Sequence, residues 1–390
     1  MRHGVEHVFG YPGAAVLPIY DEIFQQGDIK HYLVRHEQGA GHAAEGYARS
    51  TGKVGVMMVT SGPSVTNSIT PLQDALMDSV PIVCLSGQVP TTLIGTDAFQ
   101  ECDTVEVTRS CTKHNFLVKH IDELAKTIHL AFRIATTERP GPVLVDMPKD
   151  VLFASGIYVS PDNVSPLASY QPPMQGDQNE IRSTVALMAE ARRPVIYTGG
   201  VVVNSGPQAS RLLRELVDLT GFPVTSTLMG LGAYPATGPN WPRMAGEHGS
   251  HQANRAIEDC DLLIAIGAWF NNFHSSDAHA FSPRSKKIHV DIDATSINKH
   301  VAVDIGIQGD ASYVLADMIR DWQLLSIVPD QKRLQSWWMQ IDHWRARQSF
   351  SYERLTDAIT PEHALERLYA VTKAHDPIIT TEIDQRMRVA

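Results

Sequence analysis

The stretch from Val34 to Gly52 places a lone carboxylate where chemistry is usually done. An apolar strand ends near Val34, Arg35-His36-Glu37 follow, and a helix begins, with Ala40, Ala43, Ala44, Tyr47 and Ala48 at helical i, i+3, i+4, i+7, i+8 spacing. Glu37 therefore sits at a strand-to-helix junction. In open α/β sheets ligands bind at the carboxyl ends of strands, so a carboxylate there faces a crevice. The competing reading is structural: Glu37 pairs with Arg35, or satisfies free N–H groups in the first helical turn.

The elements that must position Glu37 read as a parallel α/β fold. Strands are expected at Val5 to Phe9, His31 to Val34, Val54 to Thr60, Pro81 to Ser86 and Pro142 to Met147. Helices are expected between them, at Gln38 to Ser50, Ser64 to Asp78 and Asp122 to Thr136. Turn residues gather where these strands end: Gly10-Tyr11-Pro12-Gly13, Ser61-Gly62-Pro63 and Gly87-Gln88-Val89-Pro90. Such glycines allow close approach of a ligand, though they also simply make tight turns.

The stretch Val151 to Asn179, with Pro161, Pro166, Pro172 and Pro173, reads as a linker. A second α/β unit follows, with strands expected at Pro194 to Thr198, Pro223 to Ser226, Asp261 to Ile266 and Lys287 to Asp293, and a helix at Gln208 to Thr220. It has no G-x-G-x-x-G fingerprint. Asp291 and Asp293 could bind ribose hydroxyls or cap a helix ahead of Thr295. Beyond Pro329 an amphipathic helical stretch carries Trp337, Trp338, Ile341 and Trp344, read as core or interface, and a helix from Pro361 to Ala374 precedes a strand at Pro377 to Thr380. The fold class expected is thus α/β: two doubly wound parallel-sheet domains plus a short helical C-terminal segment.

A net charge of −10 argues against a nucleic-acid surface. No apolar run reaches the ~20 residues of a membrane span, and the first residues lack a signal-peptide core, so a cytoplasmic location is expected. Four cysteines without a C-x-x-C pair are expected to be reduced thiols, and no metal ligand set is assigned.

Ordered motifs across nearly the whole chain resemble the large catalytic subunit of acetolactate synthase (acetohydroxyacid synthase), a thiamine diphosphate enzyme. They are Phe9-Gly10-Tyr11-Pro12-Gly13, Arg35-His36-Glu37-Gln38-Gly39, Thr60-Ser61-Gly62-Pro63, Gly95-Thr96-Asp97-Ala98-Phe99-Gln100-Glu101, Thr112-Lys113-His114-Asn115, Arg139-Pro140-Gly141-Pro142-Val143, Thr227-Leu228-Met229-Gly230-Leu231-Gly232 and His289-Val290-Asp291-Ile292-Asp293. The resemblance implies four segments: 1–150 the pyrimidine-binding domain, 151–179 a linker, 180–325 a central flavin-type domain, and 326–390 a helical linker with the start of a truncated diphosphate-binding domain.

By the same resemblance Glu37 is the catalytic carboxylate. Its hydrogen bond to the aminopyrimidine of thiamine diphosphate favours the tautomer that removes the thiazolium proton. Pyruvate is decarboxylated and joined to a second 2-oxo acid, pyruvate or 2-oxobutyrate, supplying branched-chain amino acids. Gln100 and Lys113 are implied to line the catalytic region, and Pro63 and Asn67 to contact the cofactor. Arg139, Thr227, Leu228, Met229, Gly246, His248, Gly249, Gly267, Asp291, Asp293, Gly309 and Asp310 fall on flavin-contact motifs. A homodimer, or association with a full-length or regulatory subunit, is implied.

Three departures from the family stand out. The flavin loop reads Gly267-Ala268-Trp269-Phe270-Asn271-Asn272-Phe273, without the family's two cations and two carboxylates, which weakens the case for FAD. Glycines expected after Gly13 and Pro63 are Ala14 and Ser64, which would be strained at positive φ. No Gly-Asp-Gly followed by paired asparagines supplies the Mg²⁺ and diphosphate ligands; Gly309-Asp310 is followed by Ala311, and the opening of the diphosphate domain would fall at Asp384-Gln385-Arg386-Met387. The chain alone is therefore expected to be inactive. Alternatives are a non-catalytic regulatory or complementing subunit and a flavin-free carboligase resembling sulfoacetaldehyde acetyltransferase.

Overall fold

The computed structural model describes residues 3–158, 160, 173–270, 281–327, 330–348, 350–355, 357–375 and 377–380. The chain divides into two compact units, Met1–Pro173 and Met174–Ala390.

In the first unit the strands are β1 (His7–Gly10), β2 (Lys30–Leu33), β3 (Gly55–Val59), β4 (Ile82–Gln88), β5 (His114–Leu117) and β6 (Val143–Pro148). The helices are α1 (Leu17–Gln25), α2 (Glu37–Thr51), α3 (Pro63–Thr66), α4 (Ile69–Met77), α5 (Thr104–Thr108), α6 (Ile121–Thr136) and α7 (Lys149–Phe153). The sheet runs β2-β1-β3-β4-β6-β5, every pair parallel. Strand alternation feeds two cores: Val56 and Met58 of β3 face a layer with Phe132 and Ala135 of α6, while Met57 and Val59 face one with Ala40 and Ala44 of α2 and Leu72 of α4. Burial on both faces explains why β3 and β4 read as continuous apolar runs.

One expected helix is two. The stretch 64–78 breaks at Asn67 and Ser68, because Pro71 has no N–H to bond the Asn67 carbonyl. The edge strand β5 was not foreseen: its four residues are half-buried or exposed and open on a histidine.

The second unit holds β7 (Pro194–Thr198), β8 (Val224–Ser226), β9 (Leu262–Ile266), β10 (Lys286–Asp291) and β11 (Ile305–Gln308), in the parallel order β11-β10-β9-β7-β8. Its helices are α8 (Gln178–Glu190), α9 (Gly200–Asn204), α10 (Pro207–Thr220), α11 (His251–Asp259), α12 (Ala311–Leu324), α13 (Gln331–Arg345) and α14 (Pro361–Thr372). The tryptophans of α13 belong to this core. Trp337 Nε1 donates to Pro194 O and Trp338 Nε1 to Gly221 O, both at 3.0 Å, and Trp337 meets Trp344 edge-on at 5.7 Å.

Residues 377–380 form no strand, a correction to the expectation: Ile378 is 96% exposed, and among the described residues no strand lies beside it to pair with. The expected linker is framed by α7 and by α8, which starts inside it; Pro161, Pro166 and Pro172 lie outside the described residues. So do Asn271, Asn272, Phe273, Asp384, Gln385, Arg386 and Met387.

Candidate active site

In the first unit β1 connects onward to β2 on one side, and β3 returns on its other side, so a topological switch point lies between β1 and β3. Ligands bind outside the carboxyl ends of strands at such a point. Glu37 lies there. His36 caps α2, its Nδ1 accepting from Gln38 N at 3.1 Å, which leaves the carboxylate of the first helical residue free to turn elsewhere. It turns to the loop after β3: Ser64 Oγ donates to Oε1 at 2.6 Å and Asn67 Nδ2 donates to Oε2 at 2.9 Å. Burial pushes this carboxyl up, but the hydrogen bonds from Ser64 and Asn67, with help from the backbone and His36, hold it below the ordinary glutamate range. Glu37 is 6% exposed. A buried carboxylate favoured in its ionised form is a strong acceptor for a donor that enters the crevice.

The surrounding loops are packed backbone against backbone. Gly62 adopts φ +62°, and a Cβ on it would lie 2.5 Å from the carbonyl oxygen of Gln100, itself at φ +57°. That contact brings the loop carrying Gln100 to the Glu37 edge, with Gln88 Nε2 donating to Cys102 O at 2.8 Å as a second anchor. Within the same loop the Glu101 carboxylate accepts from Gly95 N and Ala98 N. Gly62→Ala is expected to cost about 1–2 kcal/mol from the backbone conformation alone, and to speed protease cleavage within residues 94–101; thermal melts and limited proteolysis check both.

Ala14 and Ser64 are not among the residues with positive φ, so neither is strained. Pro63 opens α3 and is exposed.

Lys113 and Arg139 are placed differently. They precede β5 and β6, so they lie at the opposite edge of the sheet, roughly 13–20 Å of strand away from the Glu37 edge. Lys113 Nζ donates to Ile134 O at 2.7 Å and to Thr137 O, capping the end of α6, and burial lowers its ammonium to about 8. Arg139 caps α4, through Nη2 to Met77 O at 2.9 Å and Leu76 O at 3.2 Å, with Nε donating to Ser79 Oγ at 2.8 Å. Within this unit the fold does not bring either cation to Glu37.

Sequence reasoning missed the network beneath the site. Asp146 of β6 is 1% exposed; its Oδ1 accepts from Ser86 Oγ at 2.7 Å and its Oδ2 from Gln88 Nε2 at 3.0 Å. A carboxylate inside the apolar run Val143-Leu144-Val145-Asp146-Met147 was the available signal. A second polar cluster, His42, Glu45 and Asp74, brings its ligand atoms within 4.8 Å of one another, but Arg49 already pairs with Glu45 at 2.8 Å.

In the second unit the expected residues gather at the carboxyl edge of the sheet. Thr227, Leu228 and Met229 follow β8, Gly267 follows β9, Asp291 and Asp293 follow or end β10, and Gly309 and Asp310 follow β11. Leu228 and Met229 are exposed there. Gly246 N donates to Asn254 Oδ1 at 2.8 Å, and Gly249 N to Gly246 O at 2.9 Å, with His248 between them. The carboxylates have structural work: Asp293 Oδ1 accepts from Thr295 N at 2.9 Å, Asp291 Oδ1 from Asp293 N at 2.9 Å, and Asp310 caps α12 through Ser312 N at 2.9 Å while taking Ser205 Oγ at 2.8 Å. Both outcomes foreseen for Asp293 were open, and capping is what the fold displays.

All four cysteines are free thiols. Among the described residues no helix is long and apolar enough to cross a membrane.

Residues 1–107 match the family described as thiamine pyrophosphate enzyme, N-terminal TPP binding domain, and residues 181–318 match thiamine pyrophosphate enzyme, central domain. The chain is 43% identical over 389 residues to the acetolactate synthase isozyme 3 large subunit of Escherichia coli, covering 99% of this chain and 67% of that protein. It is 42% identical to the acetolactate synthase large subunit of Buchnera aphidicola from Schizaphis graminum, covering 99% and 66%, and 45% identical to the acetolactate synthase of Mycobacterium leprae, covering 93% and 58%. It thus spans about two thirds or less of the length of these curated relatives. The chain belongs to the acetolactate synthase large-subunit family of thiamine pyrophosphate enzymes.

Proposed function

We propose that the protein to which these residues belong is an acetolactate synthase: it decarboxylates pyruvate and joins the two-carbon unit to a second 2-oxo acid, pyruvate or 2-oxobutyrate, on the route to branched-chain amino acids. One observation carries this reading. The Glu37 carboxylate is buried, ionised and fixed in direction at a sheet switch point, which suits an acceptor for a protonated heterocycle. Thiamine diphosphate, when bound, supplies the nucleophilic carbon that the 2-oxo acid needs. Glu37 would accept a hydrogen bond from its pyrimidine and so bias where that ring carries its proton. Asn67 and Ser64 hold Glu37, Pro63 and Gly62 shape the adjoining backbone, and Gln100 lines the same edge. A site role for Lys113 and Arg139 rests on the motif match alone, since both cations cap helices in this unit.

Residues 1–150 are assigned to the pyrimidine half and 180–325 to the central domain. Flavin fits the described residues poorly: Asp291, Asp293 and Asp310 are committed to backbone and hydroxyl donors, and Trp269 occupies a loop position where the family carries a cation. No step is derived through flavin. The same observation favours, as a second reading, a carboligase that works without it. No residue described here fits Mg²⁺ and a diphosphate, so no step runs through the metal. Assembly with a second copy and with a regulatory subunit, and a cytoplasmic location, complete the proposal.

The test is acetolactate formation from pyruvate with thiamine diphosphate and Mg²⁺, for the 390 residues alone and for the same chain extended with the C-terminal third of the Escherichia coli relative. Turnover in the extended chain is the expected result. An extended chain that folds and binds thiamine diphosphate yet forms no acetolactate sinks the proposal.

A further inference from the structure

We infer that Ser64 is a positioning residue for Glu37: its hydroxyl fixes Oε1 while Asn67 fixes Oε2, so the carboxylate plane is locked. The inference rests on the reading that Glu37 meets the cofactor, and deepens it. Ser64 and Asn67 stand three residues apart, on one turn, and each reaches a different oxygen. One donor would let the carboxylate pivot; two donors on opposite oxygens do not. Ser64 is the second residue of α3, so no helical carbonyl four residues earlier competes for its hydroxyl, the partner that a serine deeper in a helix can take. Ser68, one turn on, does so, donating to Ser64 O at 2.9 Å. Ser64 instead spends its hydroxyl on Glu37, and at 5% exposure no bulk water competes for it. A glycine, which the family usually carries after this proline, could not make the bond. The titratable neighbour of Glu37 is His36, at the N-cap of its own helix; α3 and its C-cap contribute only the neutral Ser64 and Asn67.

A hydrogen bond to an ionised group is one of the stronger ones, and its loss from a buried carboxylate should raise the proton affinity about ten-fold, a shift of about one pH unit. The experiment follows the Glu37 carboxylate band by ¹³C-glutamate-edited infrared spectroscopy of the full chain, with Glu37→Gln as the subtraction. The parent should keep the ionised band to a pH below 4.5, the ordinary value. Ser64→Ala should move both the midpoint up by about one unit and the band position at neutral pH, and Ser64→Thr, which restores a hydroxyl, should reverse both. A Ser64→Ala spectrum that superimposes on the parent, in a protein with unchanged near-UV circular dichroism, overturns the inference. If Ser64→Ala does not fold, Ser64→Gly carries the same test. Infrared shifts as expected, together with full turnover of Glu37→Gln in the extended chain, would leave the Ser64 to Glu37 link standing and remove the cofactor reading instead.

Discussion

Glu37→Gln is expected to lower acetolactate formation by about 10²- to 10⁴-fold, the range of one positioned acid–base group, while the unit stays folded. Glutamine is nearly isosteric. Its amide can present Nε2 to Ser64 Oγ, which accepts as readily as it donates, and Oε1 to Asn67 Nδ2, so the two contacts seen at 2.6 and 2.9 Å survive in altered form. What disappears is the negative charge that makes the carboxylate a strong acceptor for a protonated ring. The stability sign follows from the same shift. A carboxyl held below its unfolded value stabilises the fold above that value, and the contribution is lost as pH falls through the folded one. At pH 7 Glu37→Gln is therefore slightly less stable than the parent, and the difference shrinks in acid. The assay is initial-rate acetolactate formation by the extended chain, with melts at pH 7 as the folding control. A variant that keeps most of its turnover would mean that Glu37 does not govern the proton on the pyrimidine.

Much of this geometry was legible because local chemistry and fold agree. An apolar run at Gly55–Val59 with no alternation, bounded by turn residues, reads as a strand covered on both faces, and the stripe from Ala40 to Ala48 reads as a helix with one buried face, which packs on it. Glu37 stood out because a strand-to-helix junction lies at the carboxyl edge of the sheet, where ligands bind; the residues alone left helix capping open, and the Arg35-His36-Glu37-Gln38-Gly39 motif decided between them. The break in the helix near Asn67 was also written in the chain, at Pro71, and went unread. Lys113 shows what local pattern leaves open. Its edge of the sheet follows from β5, and β5 is half-exposed, begins with His114 and offers no apolar run, so nothing local tells which end of a strand Lys113 occupies. Ser64 was visible only as a serine in place of a glycine. That it bonds Glu37, 27 residues earlier, depends on α3 lying over the start of α2, a tertiary fact with no local pattern.

Asp146 should make the first unit lose stability as pH rises from 5 to 8, and Asp146→Asn should abolish most of that loss. Burial pushes this carboxyl up to about 7, against the pull of Ser86, Gln88 and Thr104, whereas its ordinary value is 3.8. Between those values the folded chain holds a proton that the unfolded chain has released. Stability therefore falls with rising pH across the window and stays low above it, the opposite sign to Glu37. At 1.36 kcal/mol per unit the full effect is on the order of 4 kcal/mol, of which about 2–3 kcal/mol falls between pH 5 and 8, roughly 5–10 °C in Tm. Asparagine fits the site without titrating: its Oδ1 accepts from Gln88 Nε2, and its Nδ2 donates to Ser86 Oγ, whose own proton turns to Val145 O, already 3.4 Å away. The like charge of Asp103 and the raised carboxyl of Glu45, which Arg49 pairs, act in parent and variant alike, so the difference between the two melting curves isolates Asp146. Melts at pH 5, 6, 7 and 8 should show a shift in favour of Asp146→Asn that grows up to about pH 7 and then levels off. A constant gap would mean that Asp146 carries the same charge folded and unfolded, and that its three donors outweigh its burial.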